Sequence, residues 1–471
     1  MKIARQLAAA VLLAALPLAA FAAEEKPLPK DLPPFGQDKP LPVAEIVKST
    51  LANGLTVWLV PRPGLPKVIA ILAARGGSAI DPKGLEGISD VLTSVLKSGT
   101  SHRTARQIAE ELQAVGGEIS TSDNDDAVFA TVDGLADGVG TLLEILADVG
   151  QNSIFPDDEV ELERTNALQG LMAQEATPEF AVDKAFGAAV FGAHPYRLAY
   201  PEESALQAVT PELLRAEYAR RFRPDRALLV VAGALDPKAV VPQIGKAFGG
   251  WKGTGEPPAP VPPVPPAGER RILLVDRPGS VQSEIRVGRP MVKITDPDYF
   301  PLLVANTVFG GAFGSRLVQN IREDKGYTYS LGAAVQTLAE GGNLRVQAAV
   351  RNEVTAASLL EIFYELDRMG ATLPTDDELV RAKRYQTGLY LLRNQIQSAV
   401  AFTLVSNWVK GLPPEALAAF VPNVNAVTAA EVQRVGRAYF PSRTQTVVVG
   451  GDVATVRPEL TMYGPSEVMT P

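Results

Sequence analysis

The chain has 471 residues, 46% of them hydrophobic, with 45 Lys and Arg against 53 Asp and Glu and a formal net charge of −8. That length holds more than one globular domain, and an acidic chain without a basic cluster is a poor partner for nucleic acid or an anionic membrane surface. With no cysteine, a disulfide framework and a thiol nucleophile are both excluded, so packed cores must supply the stability.

Residues 1–22 carry Lys2 and Arg5, an apolar run over 7–18, and then Ala20-Phe21-Ala22. The pattern predicts a secretory signal peptide with an A-x-A cleavage site. A membrane span is not expected, because the apolar core is too short and no stop-transfer run follows. The expected location is therefore outside the cytoplasm, in a bacterial periplasm. Residues 23–42, rich in Pro and Lys, read as an extended tail.

A first domain is expected over residues 43–252. Strands over 57–60 and 68–75 lead through Gly76-Gly77-Ser78 to a helix over residues 85–97. Leu85, Ile88, Val91, Leu92, Val95 and Leu96 share one stripe of that helix at helical period, and Asp90, Thr93 and Ser94 fall on the opposite, polar side. Residues 116–121 begin another strand. Glu159, Glu161 and Glu163 read as a solvated acidic helix face. His102 lies in a polar turn and His194 in a Gly-Ala-His-Pro-Tyr turn; with no other His and no Cys in the chain, neither has a metal-ligand neighbour. G-x-S-x-G and P-loop motifs are absent.

Composition breaks at residues 253–269, where Gly-Thr-Gly-Glu precedes a run of seven prolines interleaved with Ala and Val. Such runs are stiff, extended spacers that stay out of a core. A second domain is expected over 270–460, followed by a tail over 461–471. The two domains echo each other. Arg62-Pro63-Gly64 and Arg277-Pro278-Gly279 each follow an apolar strand, and Arg226 and Arg443 each precede one. The offsets, 278 − 63 = 215 and 443 − 226 = 217, are nearly equal, which argues for duplication. Each half begins with a strand, carries several amphipathic helices and closes on a β-rich strand, predicting an α+β fold with helices on one face of a mostly antiparallel sheet.

The most distinctive stretch lies in the second half. An apolar helix end over 302–309 meets Gly-Gly-Ala-Phe-Gly-Ser-Arg-Leu (310–317), where Gly310 and Gly311 allow close approach of a ligand or neighbouring backbone. Ile-Arg-Glu-Asp-Lys-Gly-Tyr-Thr-Tyr-Ser (321–330) follows, with Gly326 ending a second amphipathic segment. Arg322 and Tyr329 flank the turn. A guanidinium fork and a phenol suit a grip on a peptide carbonyl or carboxylate, although by residue type alone a surface Arg and a half-buried Tyr are the commoner arrangement.

This stretch resembles the C-terminal-half motif of the pitrilysin-type zinc peptidases, the inverzincins, which include insulin-degrading enzyme and mitochondrial processing peptidase. The resemblance implies two similar domains facing each other like clam shells. It also implies that Arg322 and Tyr329 hold substrate and stabilise the reacting carbonyl. Active members carry H-x-x-E-H ahead of a Gly-Thr in the first half. Aligned back from Gly99-Thr100, those five positions are Asp90-Val91-Leu92-Thr93-Ser94, and a third ligand, a Glu on a later helix, falls on Gly170. Zinc needs the paired imidazoles and the Glu takes the proton of the metal-bound water; none of these side chains is present. The resemblance therefore implies no metal in this chain and a homologous partner subunit that carries H-x-x-E-H and zinc, with peptides as substrates. A catalytically inert peptide-binding or structural subunit is the alternative.

Overall fold

The computed structural model describes residues 45–469. The expected signal peptide (1–22) and extended tail (23–42) lie outside the described residues.

Among the described residues, twelve strands form two six-stranded sheets. The first holds β1 (Val47–Thr50), β2 (Thr56–Pro61), β3 (Lys67–Arg75), β4 (Glu118–Asp123), β5 (Ala127–Leu135) and β6 (Ala227–Gly233), in the order β1-β2-β6-β3-β5-β4. The second holds β7 (Arg271–Asp276), β8 (Gln282–Met291), β9 (Ser330–Leu338), β10 (Gly341–Arg351), β11 (Thr446–Gly451) and β12 (Ser466–Met469), in the order β12-β7-β11-β8-β10-β9. Five strands correspond one to one. β2 runs parallel to β6 and β7 to β11, while the rungs from β6 to β4 and from β11 to β9 are antiparallel. The Arg-Pro-Gly turns coincide too: Arg62 N donates to Gly233 O (2.7 Å) and Arg277 N to Gly451 O (2.8 Å). The sixth strands come from opposite ends of the chain, β1 antiparallel to β2 and β12 parallel to β7. The expected tail over 461–471 is thereby corrected: residues 466–469 satisfy the open edge of β7.

Each sheet is covered on both faces. Val57, Leu59, Val68, Ala70 and Leu72 point toward helices of their own half, among them Ile88–Val95, Val139–Asn152 and Pro237–Phe248. The alternate residues Trp58, Val60, Ile69 and Ile71 meet Val400, Leu404 and Val405 on the helix Gln397–Val409, which belongs to the second half. The exchange is reciprocal. The helix Phe180–Phe191 of the first half sets Val182, Phe186 and Val190 on Leu273, Val275 and Val448 of the second sheet. Each half's own helices thus lie on one face, as expected, and the other face is closed by a helix from across the molecule. Double-sided burial is why β6 and β11 read as unbroken apolar runs and not as alternating ones. A Cβ on Gly450 would come within 2.2 Å of Val182 Cγ2, so this helix approach requires glycine there.

The proline-rich stretch carries no regular element, but it does join a core, contrary to expectation. Val261 and Val264 pack at the edge of the cluster around Val182, and Val264 N donates to Glu340 O at 3.1 Å. His194 holds the strap from the other side: its Nδ1 accepts from Tyr196 N (3.1 Å) and its Nε2 donates to Pro262 O (2.8 Å). The prolines keep the segment extended while the valines between them anchor it. Both ring nitrogens of His194 are spent, as its reading as a structural turn requires.

Candidate functional site

The helix Tyr299–Asn306 runs into a π-helical turn, Thr307–Gly311, a local widening that recurs at functional sites. A Cβ on Gly310 would lie 2.7 Å from Ala333 Cβ, and one on Gly311 2.7 Å from Asn306 Nδ2. Gly310 lets the turn lie flat against β9, and Gly311 lets it fold back on Asn306 at the end of the preceding helix. Arg316, buried, then donates from Nε and Nη2 to Glu378 at 2.6 and 2.8 Å. That bidentate bond holds the Glu378 carboxyl down at about 2 and pins the loop to the helix Asp376–Arg393. A second π-helical stretch, Gln319–Asp324, carries Arg322, and Gly326 at φ +62 turns the chain out of it.

Arg322 and Tyr329 come together. The Arg322 guanidinium lies between the Phe313 ring (4.8 Å to the centroid) and the Tyr329 ring (4.5 Å), each contact contributing about 0.5–1 kcal/mol at such exposed positions. Arg322 Nε is 3.3 Å from the Glu323 carboxylate. Tyr329 is 84% exposed, so the half-buried tyrosine expected from residue type alone is corrected. Its ring contributes to the stack and its rim is open to solvent. Arg322, Gly310 and Gly311 also line a cavity of ≈ 360 Å³, with Phe313, Arg345 and Tyr385 on its other walls.

Those last three were missed in the sequence. Phe313 was legible, since it is the one aromatic residue inside the glycine-rich stretch. Arg345 was not. It stands in β10 opposite Ala334, and its Nη2 donates at 2.7 Å to Asp183 of the exchanged helix Phe180–Phe191, a partner 162 positions away.

The first half presents a different picture at the aligned metal positions. The helix expected over 85–97 is Ile88–Val95: Gly87, at φ +104, delays its start. Thr93 is not on a polar outer face. It is 2% exposed, with Oγ1 donating toward Asp90 O (3.1 Å) and Asp123 Oδ1 (3.2 Å), because this side of the helix packs on β4. Asp90 is exposed, but partial desolvation and next the Glu163 charge raise its carboxyl above its ordinary range. Burial also pushes Asp123 up to about 6; the Asp90 and Asp81 charges add to the rise, and hydrogen bonds from Ser89 and Thr93 oppose it. Ser94 is half-buried, and Gly170 lies exposed on the helix Asp157–Glu175 with open space where a side chain would begin. On that helix Glu161 is solvated and paired with Arg164 at 2.7 Å, whereas Glu163 is half-buried and within reach of Asp90's charge.

Zinc does not fit here. One hydroxyl is already bonded to a carboxylate, one position has no side chain, and among the described residues no group of three His, Cys, Asp or Glu could hold a metal ion. His102 bonds Asp148 Oδ1 through Nδ1 at 2.8 Å. Burial alone would raise Asp148, but hydrogen bonds from Arg103, His102 and Thr100 outweigh it and hold its carboxyl below the usual range. This is a structural knot.

Residues 57–201 match the model of the insulinase family, peptidase family M16, and residues 208–385 match that of the peptidase M16 inactive domain. An uncharacterized zinc protease of Mycobacterium leprae is 30% identical over 314 residues, which cover 65% of this chain and 69% of that protein. The chain belongs to the M16 peptidase family. An uncharacterized zinc protease of Rickettsia felis is 26% identical over 408 residues, covering 85% and 97% of the two chains. The fold is that of the peptidase M16 inactive domain protein from Pseudomonas fluorescens, with a TM-score of 0.80 at 20% identity over 86% of this chain and 98% of that one. A protease from Helicobacter pylori matches with a TM-score of 0.78 at 18% identity, over 87% and 100%. The pitrilysin-type resemblance is thus carried by the whole fold, and this M16 chain lacks the H-x-x-E-H motif. No helix among the described residues is long and apolar enough to cross a membrane.

Proposed function

We propose that this chain is the non-catalytic subunit of an exported, heteromeric M16 zinc metallopeptidase. In this reading Arg322 and Tyr329 act in trans, gripping the peptide and its developing oxyanion beside the zinc of a homologous subunit that carries H-x-x-E-H. The observation that carries the reading is the Phe313–Arg322–Tyr329 stack, of which Phe313 and Arg322 line a cavity, in a chain whose own metal positions hold Asp90, Thr93, Ser94 and Gly170. Two rings fix the guanidinium plane in advance, so its N–H edge meets developing negative charge without reorganising. An exposed Tyr329 offers a phenol donor beside it. Export rests on the Lys2/Arg5, apolar run and A-x-A pattern of residues 1–22.

The test is purification of the protein with its stoichiometric partner from the cell envelope, followed by peptide hydrolysis by the pair. Arg322→Ala and Tyr329→Phe should each lower kcat/KM, the arginine change by about a hundredfold or more, with assembly intact. Unchanged turnover in both variants, or a partner without H-x-x-E-H, would leave the inert peptide-binding or structural subunit as the reading.

A further inference from the structure

The β3–β6 ladder ends on the pair Ala74–Ala227. One step beyond it Arg75 and Arg226 face each other across neighbouring strands, like charges in a position where they repel. Each keeps a buried Nε without a hydrogen-bond partner. Arg75 spends Nη2 on Trp408 O (2.6 Å) and stacks 4.1 Å over the Trp408 ring, bracing the helix Gln397–Val409. Arg226 is half-buried, and among the described residues its side chain makes no hydrogen bond or ion pair. The nearby Asp225 is already paired with Arg223 at 3.1 Å. Burial, then the charge of Arg226, lowers the Arg75 pKa; burial also lowers that of Arg226, with Arg223 and Arg220 adding to the effect and Asp225 opposing it.

Both side chains line a cavity of ≈ 370 Å³ at the seam of the molecule, closed by strap residues 259–261, hairpin residues 339–340 and residues 409–411. Lys410 lines it as well, pushed down by burial and without a salt bridge among the described residues. The carboxylates here form no direct ion pair with these cations, although the Asp126 charge opposes the effect of burial on Lys410. Asp126 accepts from Tyr196 Oη and Ala339 N, and Glu340 lies 3.4 Å from Lys293. Asp125 makes no ion pair among the described residues and opposes an anion.

We propose that this seam cavity binds a small oxyanion, a carboxylate or a phosphate, on the guanidinium of Arg226 and the ammonium of Lys410, beside the Arg75 charge. A bound oxyanion supplies lone pairs to the Arg226 and Lys410 head groups, which form no ion pair among the described residues. Because strap, hairpin and exchanged helix all border the site, it also ties the two halves together. The site is separate from the cavity lined by Arg322 and stands whether or not the proposed trans role does.

The experiment uses the full mature chain at constant ionic strength set with chloride, in calorimetric titrations and thermal melts. The probes are inorganic phosphate, an N-acetyl dipeptide with a free carboxylate, and the same dipeptide as its amide. Phosphate, the free-carboxylate dipeptide, or both should bind and raise the Tm, while the amide should not. Binding of phosphate alone assigns the site to phosphate, and binding of the dipeptide alone assigns it to a chain terminus. Arg226→Gln should weaken binding by about tenfold or more while melting no lower than the wild type, since it removes a repelled charge and keeps the stem. Lys410→Met is the second variant, with the same expected loss. Failure of both probes to bind the wild type beyond chloride overturns the proposal, as does undiminished binding in both variants.

Discussion

Asp123 offers a direct test of whether the degenerate metal position is free of metal. Its carboxyl lies at the end of β4 against Thr93 and is raised from 3.8 to about 6, first by burial. The folded chain therefore holds this proton more tightly than the unfolded chain. The resulting penalty is absent below about pH 4, grows as pH rises between about 4 and 6, and is constant above that. A shift of about two units corresponds to about 3 kcal/mol. Asp123→Asn removes the charge but keeps an oxygen that accepts from Thr93 and Ser89, with weaker bonds that offset about 1 kcal/mol. The variant should then be more stable by about 2 kcal/mol at pH 8 and less stable by about 1 kcal/mol near pH 4, where the wild-type carboxyl is protonated in both states. Urea unfolding followed by the fluorescence of Trp58, Trp251 and Trp408 across that pH range reads the difference. Zinc added to either protein should leave the midpoint unmoved, and metal analysis should find no stoichiometric zinc. A less stable variant at pH 8, or a zinc-dependent rise in the wild type that the variant lacks, would mean that the carboxylate serves a cation and that the reasoning fails.

Glu378→Gln strands the buried Arg316 and should cost about 3–5 kcal/mol. The Arg316 hydrogen bond holds Glu378 near 2, so the pair's contribution is complete above about pH 4.5 and lost as pH falls toward 2; acid titrations of variant and wild type should converge there. Leu404→Ala removes a side chain buried between the exchanged helix and the first sheet and should cost about 2–5 kcal/mol. Limited proteolysis should then cut faster within the strap at residues 253–268. Tyr196→Phe takes one donor from the buried carboxylate of Asp126 and should lower stability by about 1–3 kcal/mol, read as a lower Tm.

Much of this protein was legible in its sequence because the signals are local or depend only on order along the chain. The paired Arg-Pro-Gly turns and the pair Arg226 and Arg443, at nearly equal offsets, announced the duplication, and five strands of each sheet correspond in order and direction. Gly310, Gly311, Arg322 and Tyr329 were drawn together by one short motif whose glycines fix the turn. The loss of both histidines, the glutamate and the third ligand needed no coordinates. What the sequence left open depends on which surfaces meet across hundreds of residues. A stripe at helical period marks the helix Gln397–Val409 as buried without naming its partner, so the exchange of helices between halves became visible only in the folded chain. The same limit hid Thr93, whose hydroxyl looks like a surface group until β4 is laid against it. It hid the Asp183–Arg345 bond, and it hid Arg75 beside Arg226, brought together by a strand register that local composition does not encode.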